Sequence, residues 1–537
     1  MSEQIILYIS LIVIILFLVM LAQRIKISYP IVLVLGGLAI SFIPGLPRIS
    51  IDPEFIFLIF LPPLLYDAAW QTSWKDFYKW RRVIGSFAFI VVILTSGVIA
   101  YVSKSIIPGF TLPLGFLLGG IISPPDAVAA TSILKDVKVT KRLVTILEGE
   151  SLLNDASSLI VFRFALMAIL SGTFVMSDAV SSFFIVIIMG VVIGLIIGAL
   201  FYAIHRWLPT TPSIDTILTL VAPYAMYITA EEFHFSGVIA VVTGGLFLSY
   251  HSRRILGHLS RIQGVNVWST VGFVFNGIVF MLIGLELPVI VEQLGPGALP
   301  EAIKYGLIIS VVVIITRLAS TVGASAFTVF ISNFITTADS RPGYRAPIMF
   351  GWAGMRGVVS LASALSIPLL LNNGEPFPQR NMILFITFVV ILVTLVFQGL
   401  TLPLVIKWMD VGELDYEVPA QEQDLKIRRK LAEESLEFLK TRYADELPKN
   451  ELLQNLTAKL ESDIGFLEHV IHPDNAPAGY DYIKRFQVIT KELLDHKRML
   501  LDKFNKKETF EEEVIRQHQS QLDLEEEKIR QQFLHME

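Results

Sequence analysis

The chain has 537 residues, 53% of them hydrophobic and only 17% charged, with a mean hydropathy of +0.63, whereas a soluble domain carries about 25% charge. This is the composition of a polytopic membrane protein with a polar tail. The absence of cysteine excludes disulfides, thiol catalysis and thiolate metal sites, and a net charge of −5 is too small to identify a partner.

The first stretch, MSEQIILYISLIVIILFLVMLAQRIK, has an acidic residue before its apolar run and no small-residue cleavage site. It is expected to be a retained first helix rather than a signal peptide. Counting apolar runs of about 20 residues gives thirteen expected transmembrane spans. The first seven cover approximately 5–22, 30–46, 53–70, 83–103, 111–134, 143–171 and 179–205. The other six cover 214–233, 236–250, 268–288, 302–330, 346–371 and 382–408. Loops after odd-numbered spans carry Arg24 and Lys26, then Lys75, Lys79, Arg81 and Arg82, then Lys135, Lys138, Lys141 and Arg142. Arg206, the group Arg253, Arg254 and Arg261, and the pair Arg341 and Arg345 continue the series. Loops after even-numbered spans hold little beyond Arg48, Lys104, Lys304 and Arg380. The positive-inside rule then places the N-terminus outside and the C-terminus in the cytoplasm, in a cell membrane.

Thirteen spans divide as six, one and six, which matches two inverted six-helix repeats joined by a linker helix. The fifth and twelfth spans are then equivalent, and both carry breakers at mid-depth: Ser123-Pro124-Pro125-Asp126 in one, Gly351 to Gly357 in the other. Paired interrupted helices in matching halves point to a midplane transport site, because opened backbone frees carbonyls and half-helix ends to hold charge. No literal sequence repeat links the halves, so the symmetry rests on position and breakers.

After Asp410 the composition changes, and the chain is divided into a membrane domain, 1–410, and a cytosolic helical region, 411–537. In the latter, Ile427, Leu431, Phe438 and Leu439 form one expected apolar face, and Ile483, Phe486, Leu493, Leu500 and Phe504 another. HPDNAPAG at 472–479 separates them, and the acidic stretches Glu511 to Glu513 and Glu525 to Glu527 mark a solvated end. No catalytic motif is present there, which leaves dimer contacts or regulation. His469, His472, His496, His518 and His535 read as solvated helix residues rather than a pH sensor.

The chemistry concentrates in the fifth and sixth spans, where Asp126, Glu148, Glu150, Asp155 and Arg163 interrupt apolar sequence. A charge at the centre of a membrane helix costs about 2.5–3.5 kcal/mol even on the lenient insertion scale. These groups must therefore face one another, water or an ion. Asp155, Asp126, Ser151 and carbonyls freed near Pro124 and Pro125 offer the oxygen shell that a hard cation such as Na+ requires. Burial disfavours a charged carboxylate and a bound cation favours it, so a carboxylate between those limits takes either a proton or a metal ion near neutral pH. That competition is the simplest exchange mechanism. Glu150 lies five residues before Asp155 and faces another side of the helix. It is assigned a structural ion pair with Arg317, with Arg356 beside the broken twelfth span. Asp67 is placed within reach of the site through water, Glu148 at the cytoplasmic mouth, and Arg163 receives no role.

Together SPPDAVAA, EGESLLNDASSL, GMRGVVSLA and LPPLLYDAA closely resemble the monovalent cation/proton antiporter family, which includes the bacterial sodium/proton antiporters and the animal sodium/proton exchangers. The likeness covers essentially the whole membrane part, while the tail matches only loosely. It implies a homodimer in which each protomer has a dimerisation bundle and a moving six-helix core. The family's Asn-Asp pair falls on Asn154 and Asp155, its glutamate on Glu150, its discontinuous-helix aspartate on Asp126, and its two arginines on Arg317 and Arg356. The Asn-Asp form is similar to the electroneutral branch, which exchanges one cation for one proton, and no cofactor is implied beyond the transported Na+ (or Li+) and H+. One departure bears on selectivity: where many members carry Thr-Asp-Pro, this chain has Pro125-Asp126-Ala127, which removes a hydroxyl ligand.

Potassium/proton exchange is the nearest alternative, since size selectivity depends on ligand geometry. A channel would move net charge where a one-for-one exchanger moves none. An intramembrane aspartyl protease needs two carboxylates sharing a proton, and Asp126 follows two prolines instead of a Gly-x-Gly sequence. A sensor that uses the fold without transport is the remaining reading. Flux surviving removal of residues 411–537 would argue against it.

Overall fold

The computed structural model describes residues 2–43, 56–134, 139–172, 176–295, 297–331, 343–409, 420–471, 479–505 and 512–533. These residues are helical apart from turns and one isolated bridge between Leu370 and Pro376. The chain forms two compact units, Met1–Asp415 and Tyr416–Glu537. The boundary expected at 410, and Arg48, Lys135, Lys138, Arg341, His472, Glu511 and His535, lie outside the described residues.

Among the described residues of the first unit, eight helices are long and apolar enough to cross a membrane, from Trp74–Ile106 to Arg380–Met409. Helix starts follow local chemistry. Thr140 accepts from the Leu143 amide at 3.4 Å and opens the helix Lys141–Ser171. Ser236 accepts from the Ile239 amide at 3.2 Å and opens Gly237–Ile255, so the chain does turn around Phe235, after a helix Pro212–Glu232. Such caps satisfy amide donors that the first helical turn leaves unpaired. The expected twelfth span is split into Arg345–Trp352 and Val358–Leu365, and the fifth into Leu112–Ile122 and Ala127–Leu134. The expected third span begins, within the described residues, as a π turn Ile56–Phe60 and continues as Leu61–Gln71.

Lipid is as apolar as leucine, so packing rather than escape from water holds membrane helices together. Small residues allow the closest crossings. A Cβ added at Gly119 would stand 2.6 Å from the Ser96 carbonyl oxygen, so the helix Leu112–Ile122 sits directly on the backbone of Val92–Ile106. The helix Lys141–Ser171 stands between two apolar cores: Leu143, Ile146 and Leu147 turn into one, Leu152 and Ala156 into the other. The residues between those positions therefore lie at a seam.

Among the described residues of the second unit are four α-helices, Ala420–Arg442, Glu451–Ile471, Gly479–Asn505 and Glu512–Phe533, the first packed on the second and the third on the fourth. Here the sequence expectation needs correction. Ile427, Leu431 and Phe438 remain exposed, and the buried apolar positions of the first two helices are Ala432 and Leu467. In the third helix Leu494 is buried rather than Leu493, and in the fourth Ile515 and Leu522 are buried. The side chains of Ile483 and Phe486 lie outside the described residues. Charge pairing sets this register: Arg498 reaches Asp523 at 2.7 Å and Glu526 at 2.5 Å.

Candidate functional site

The two interrupted helices meet at their breaks. Proline carries no N–H and cannot continue a helical ladder, so Pro124-Pro125 ends one half-helix and leaves the backbone open. The Asp126 amide then donates to the Met355 carbonyl at 2.7 Å. In return Arg356 Nε donates to the Ile122 carbonyl at 2.9 Å. Each break thus satisfies a polar group that the other exposes, as backbone in a hydrocarbon environment requires. Asp126 also caps its own half-helix, its Oδ1 accepting from the Val128 amide at 2.8 Å. A Cβ at Gly357 would collide with the other carboxylate oxygen. Only glycine there lets the Asp126 carboxylate lie against the N-terminus of the second half-helix, where the helix dipole favours an anion.

The helix Lys141–Ser171 brings the remaining groups to this crossing. Asn154 is fully buried, and its Nδ2 donates to the Pro125 carbonyl at 3.0 Å. One of the two carbonyls expected to be free is therefore already an acceptor. Ser151 Oγ accepts from the Ala127 amide at 3.2 Å. Asp155 is only 8% exposed and lines a cavity of about 1260 Å³ together with Asp126, Ser151, Asp67 and Glu148. The same cavity reaches the exposed residues Gln23, Lys26 and Gln71, so a wet approach leads to a nearly buried acid. Asp67, half-buried in the wall, accepts from Gln71 Nε2 at 2.8 Å and lies beside Gly272, where a Cβ would stand 2.9 Å from its carboxylate.

Glu150 faces away from that cavity and meets Arg317 in a bidentate pair, at 2.5 Å from Nη1 to Oε1 and 2.7 Å from Nη2 to Oε2. Both residues are buried. Arg356, grouped with that pair on sequence, is held differently. Its guanidinium donates to two carbonyls, those of Ile122 and Gly354, because its position inside the break puts opened backbone within reach. Its backbone amide donates to Thr394 Oγ1 at 3.1 Å, and Gln398 Nε2 donates to the Trp352 carbonyl at 3.1 Å. Thr394 and Gln398 sit on a π-helical stretch, Val393–Gln398. They brace the break, and no sequence feature singled them out.

Two further groups were not legible beforehand. Arg163 pairs with Glu231 at 2.5 Å, and Glu231 Oε1 also accepts from the Gly237 amide at 3.0 Å. This ties the helix of Asp155 to the corner between Pro212–Glu232 and Gly237–Ile255. His205 Nδ1 lies 2.8 Å from Asp215 Oδ1, and Ser260 Oγ donates to Asp215 Oδ2 at 2.7 Å, a buried cluster joining three helix ends. Among the described residues no group of three or more His, Asp or Glu side chains is gathered as in a metal centre. The oxygen donors around Asp155 are of mixed kind instead.

Residues 10–408 match the sodium/hydrogen exchanger family, transmembrane part. The chain belongs to that family. A low-affinity Na+/H+ antiporter, NhaS1 of Synechocystis sp., is 34% identical to this exchanger over 451 residues, 81% of this chain and 82% of its own. A sodium, potassium, lithium and rubidium/H+ antiporter of Bacillus pumilus is 32% identical over 390 residues, 70% of this chain and 57% of its own. Among solved structures, the sodium proton antiporter MjNhaP1 from Methanocaldococcus jannaschii superposes with a TM-score of 0.61 at 19% identity, over 77% of this chain and 100% of that one. The exchanger therefore shares that all-helical membrane fold. Family and relatives are transporters, so the protein is a multi-pass transmembrane antiporter and not an enzyme.

Proposed function

We propose that the protein exchanges intracellular Na+ or Li+ for H+, one for one and without net charge movement, by alternating access to a site at Asp155. The observation that carries this reading is the position of that acid: nearly buried, at the inner end of a cavity, beside two crossing half-helices. Asp126, Ser151 and Asn154 shape the site, with Asp67 on the approach and Glu150 with Arg317 holding the surrounding frame. A proton and a cation each neutralise the Asp155 carboxylate, so the loaded site crosses uncharged with either and is costly to move when empty. The Asn154-Asp155 form supports the electroneutral stoichiometry.

The architecture that goes with this reading has thirteen spans in two inverted repeats, the N-terminus outside and residues 411–537 in the cytoplasm. The reciprocal bonding of the two breaks supports the repeat, and the basic ends of alternate helices support the orientation in the cell membrane. The working unit is a homodimer. Potassium exchange is the second reading, favoured by the breadth of cations in the name of the Bacillus relative and by Pro125 standing where a hydroxyl ligand is common.

Purified protein in proteoliposomes separates these readings. Alkalinisation of the lumen is expected on adding Na+ or Li+ outside, since each cation that enters sends a proton out, with a weaker response to K+, and clamping the membrane potential should leave the rate unchanged. A K+ response equal to that for Na+ establishes the second reading. A rate that follows the potential overturns the one-for-one stoichiometry.

A further inference from the structure

The exchange site makes no use of the basic stretch that opens the helix Trp74–Ile106. The span Trp74–Ile106 has 33 residues, about 50 Å at 1.5 Å per residue, against a hydrocarbon core of about 30 Å. Even a 40° tilt accommodates only about 39 Å of it, so at least two helical turns stand in the headgroup layer. The residues decide which end. Lys75, Lys79, Arg81 and Arg82 are exposed within the first nine positions, whereas the far end holds only Lys104. Trp74 and Tyr78 are 43% and 55% exposed, as aromatic residues at headgroup level are. The one acid of this segment, Asp76, is buried and turned inward to Lys141 at 3.3 Å. The charged side chains that this segment itself exposes are therefore all basic.

We propose that the outer face of Trp74–Gly85 is a binding site for the phosphate headgroups of anionic phospholipids in the adjoining leaflet. Several Lys and Arg residues just outside a span attract anionic lipid by about 1 kcal/mol each, and their place on the surplus length of the helix sets them at headgroup depth. Bound lipid here is coupled to the exchange site through covalently continuous helix. Asp76 meets Lys141, the Arg142 guanidinium lies 4.3 Å from the Trp80 ring centroid, and Ser157 Oγ donates to the Ala88 carbonyl at 2.5 Å. Ala88 lies in a π-helical stretch, Ser86–Val91, and all three partners belong to the helix that carries Asp155. Headgroups that hold the segment in one pose therefore bias the pose of that helix. The binding claim stands without the exchange reading, while the coupling claim rests on it.

The test uses the full chain in detergent with added phosphatidylglycerol, phosphatidylcholine or inorganic phosphate, read by thermal stability and by native mass spectrometry of bound lipid. Phosphatidylglycerol is expected to raise the melting temperature and remain bound, and the other two additions are expected to do neither. The variant K75Q/K79Q/R81Q/R82Q should lose that response, and the charge-preserving K75R/K79R/R81K/R82K should keep it. Should the glutamine variant fail to insert, salt supplies the second measurement: near 1 M, where the Debye length is about 3 Å, the wild-type response should vanish. Equal stabilisation by phosphatidylcholine or by free phosphate, or an undiminished response in the glutamine variant or at high salt, overturns the proposal. In proteoliposomes wild-type exchange should be faster with phosphatidylglycerol than without it, and the glutamine variant should show no such difference. Exchange that ignores lipid charge while lipid binding persists removes the coupling alone. Absence of exchange in every lipid counts against the exchange reading and leaves the lipid site standing.

Discussion

Asp155→Asn is expected to reduce exchange to background while the protein remains folded in the membrane. Asparagine preserves the volume of the side chain but holds neither a negative charge nor a titratable proton, so neither cargo can neutralise it. Folding should survive because the bond that Ser158 makes to this residue runs through its backbone: Ser158 Oγ donates to the Asp155 carbonyl at 3.0 Å. Asp126→Asn is a weaker test, since the Asp126 carboxylate caps a half-helix as well as facing the cavity. The measurement is flux in vesicles under an imposed pH gradient, paired with the melting profile of the purified variant. Wild-type rates from Asp155→Asn would refute the role given to this residue.

The second large effect is one of stability. Glu150→Ala leaves the Arg317 guanidinium buried with its bidentate partner gone. Removing one member of a buried pair costs about 3–5 kcal/mol, more than the pair itself contributes over an apolar replacement. The loss falls on the transport site too, because Arg317 packs against the twelfth-span break, where a Cβ at Gly354 would meet its Nε at 2.9 Å. The expected result is a markedly lower melting temperature together with lower exchange. Glu150→Leu combined with Arg317→Met should recover much of the stability, since no unpaired charge is left behind. An unchanged melting temperature in Glu150→Ala would contradict the structural role of the pair.

How far the sequence could be read depended on whether the signal was local. Helical periodicity alone put Glu150 and Asp155 on different sides of one helix, and the structure turns them to Arg317 and to the cavity respectively. Breakers marked both interrupted helices, but the bond from Asp126 to Met355 joins residues 229 positions apart and left no trace in either segment. Arg163 and Glu231 are separated by 68 residues, and Arg163 read alone received no role. Arg356 was placed beside the broken twelfth span without a partner, and opened backbone supplies carbonyls to it there. The fourth span was placed at 83–103 because polar turns outside the hydrocarbon carry no hydropathy signal, although its helix starts at Trp74. Ser73-Trp74-Lys75-Asp76 was the available clue: Ser73 Oγ accepts from the Asp76 amide at 3.3 Å, the arrangement of a helix start. In the tail, periodicity identified helices but chose the wrong face, because charge pairs between neighbouring helices set the register.

The most direct measurement is the number of protons released when Na+ is added to the purified, detergent-solubilised protein in weakly buffered solution, followed across a range of pH. Competition for one carboxylate predicts proton release approaching one per Na+ bound on the acid side, with apparent Na+ affinity weakening as protons become more abundant, and no release at all from Asp155→Asn. Saturable Na+ binding that liberates no proton at any pH, or the same release from Asp155→Asn, would contradict it.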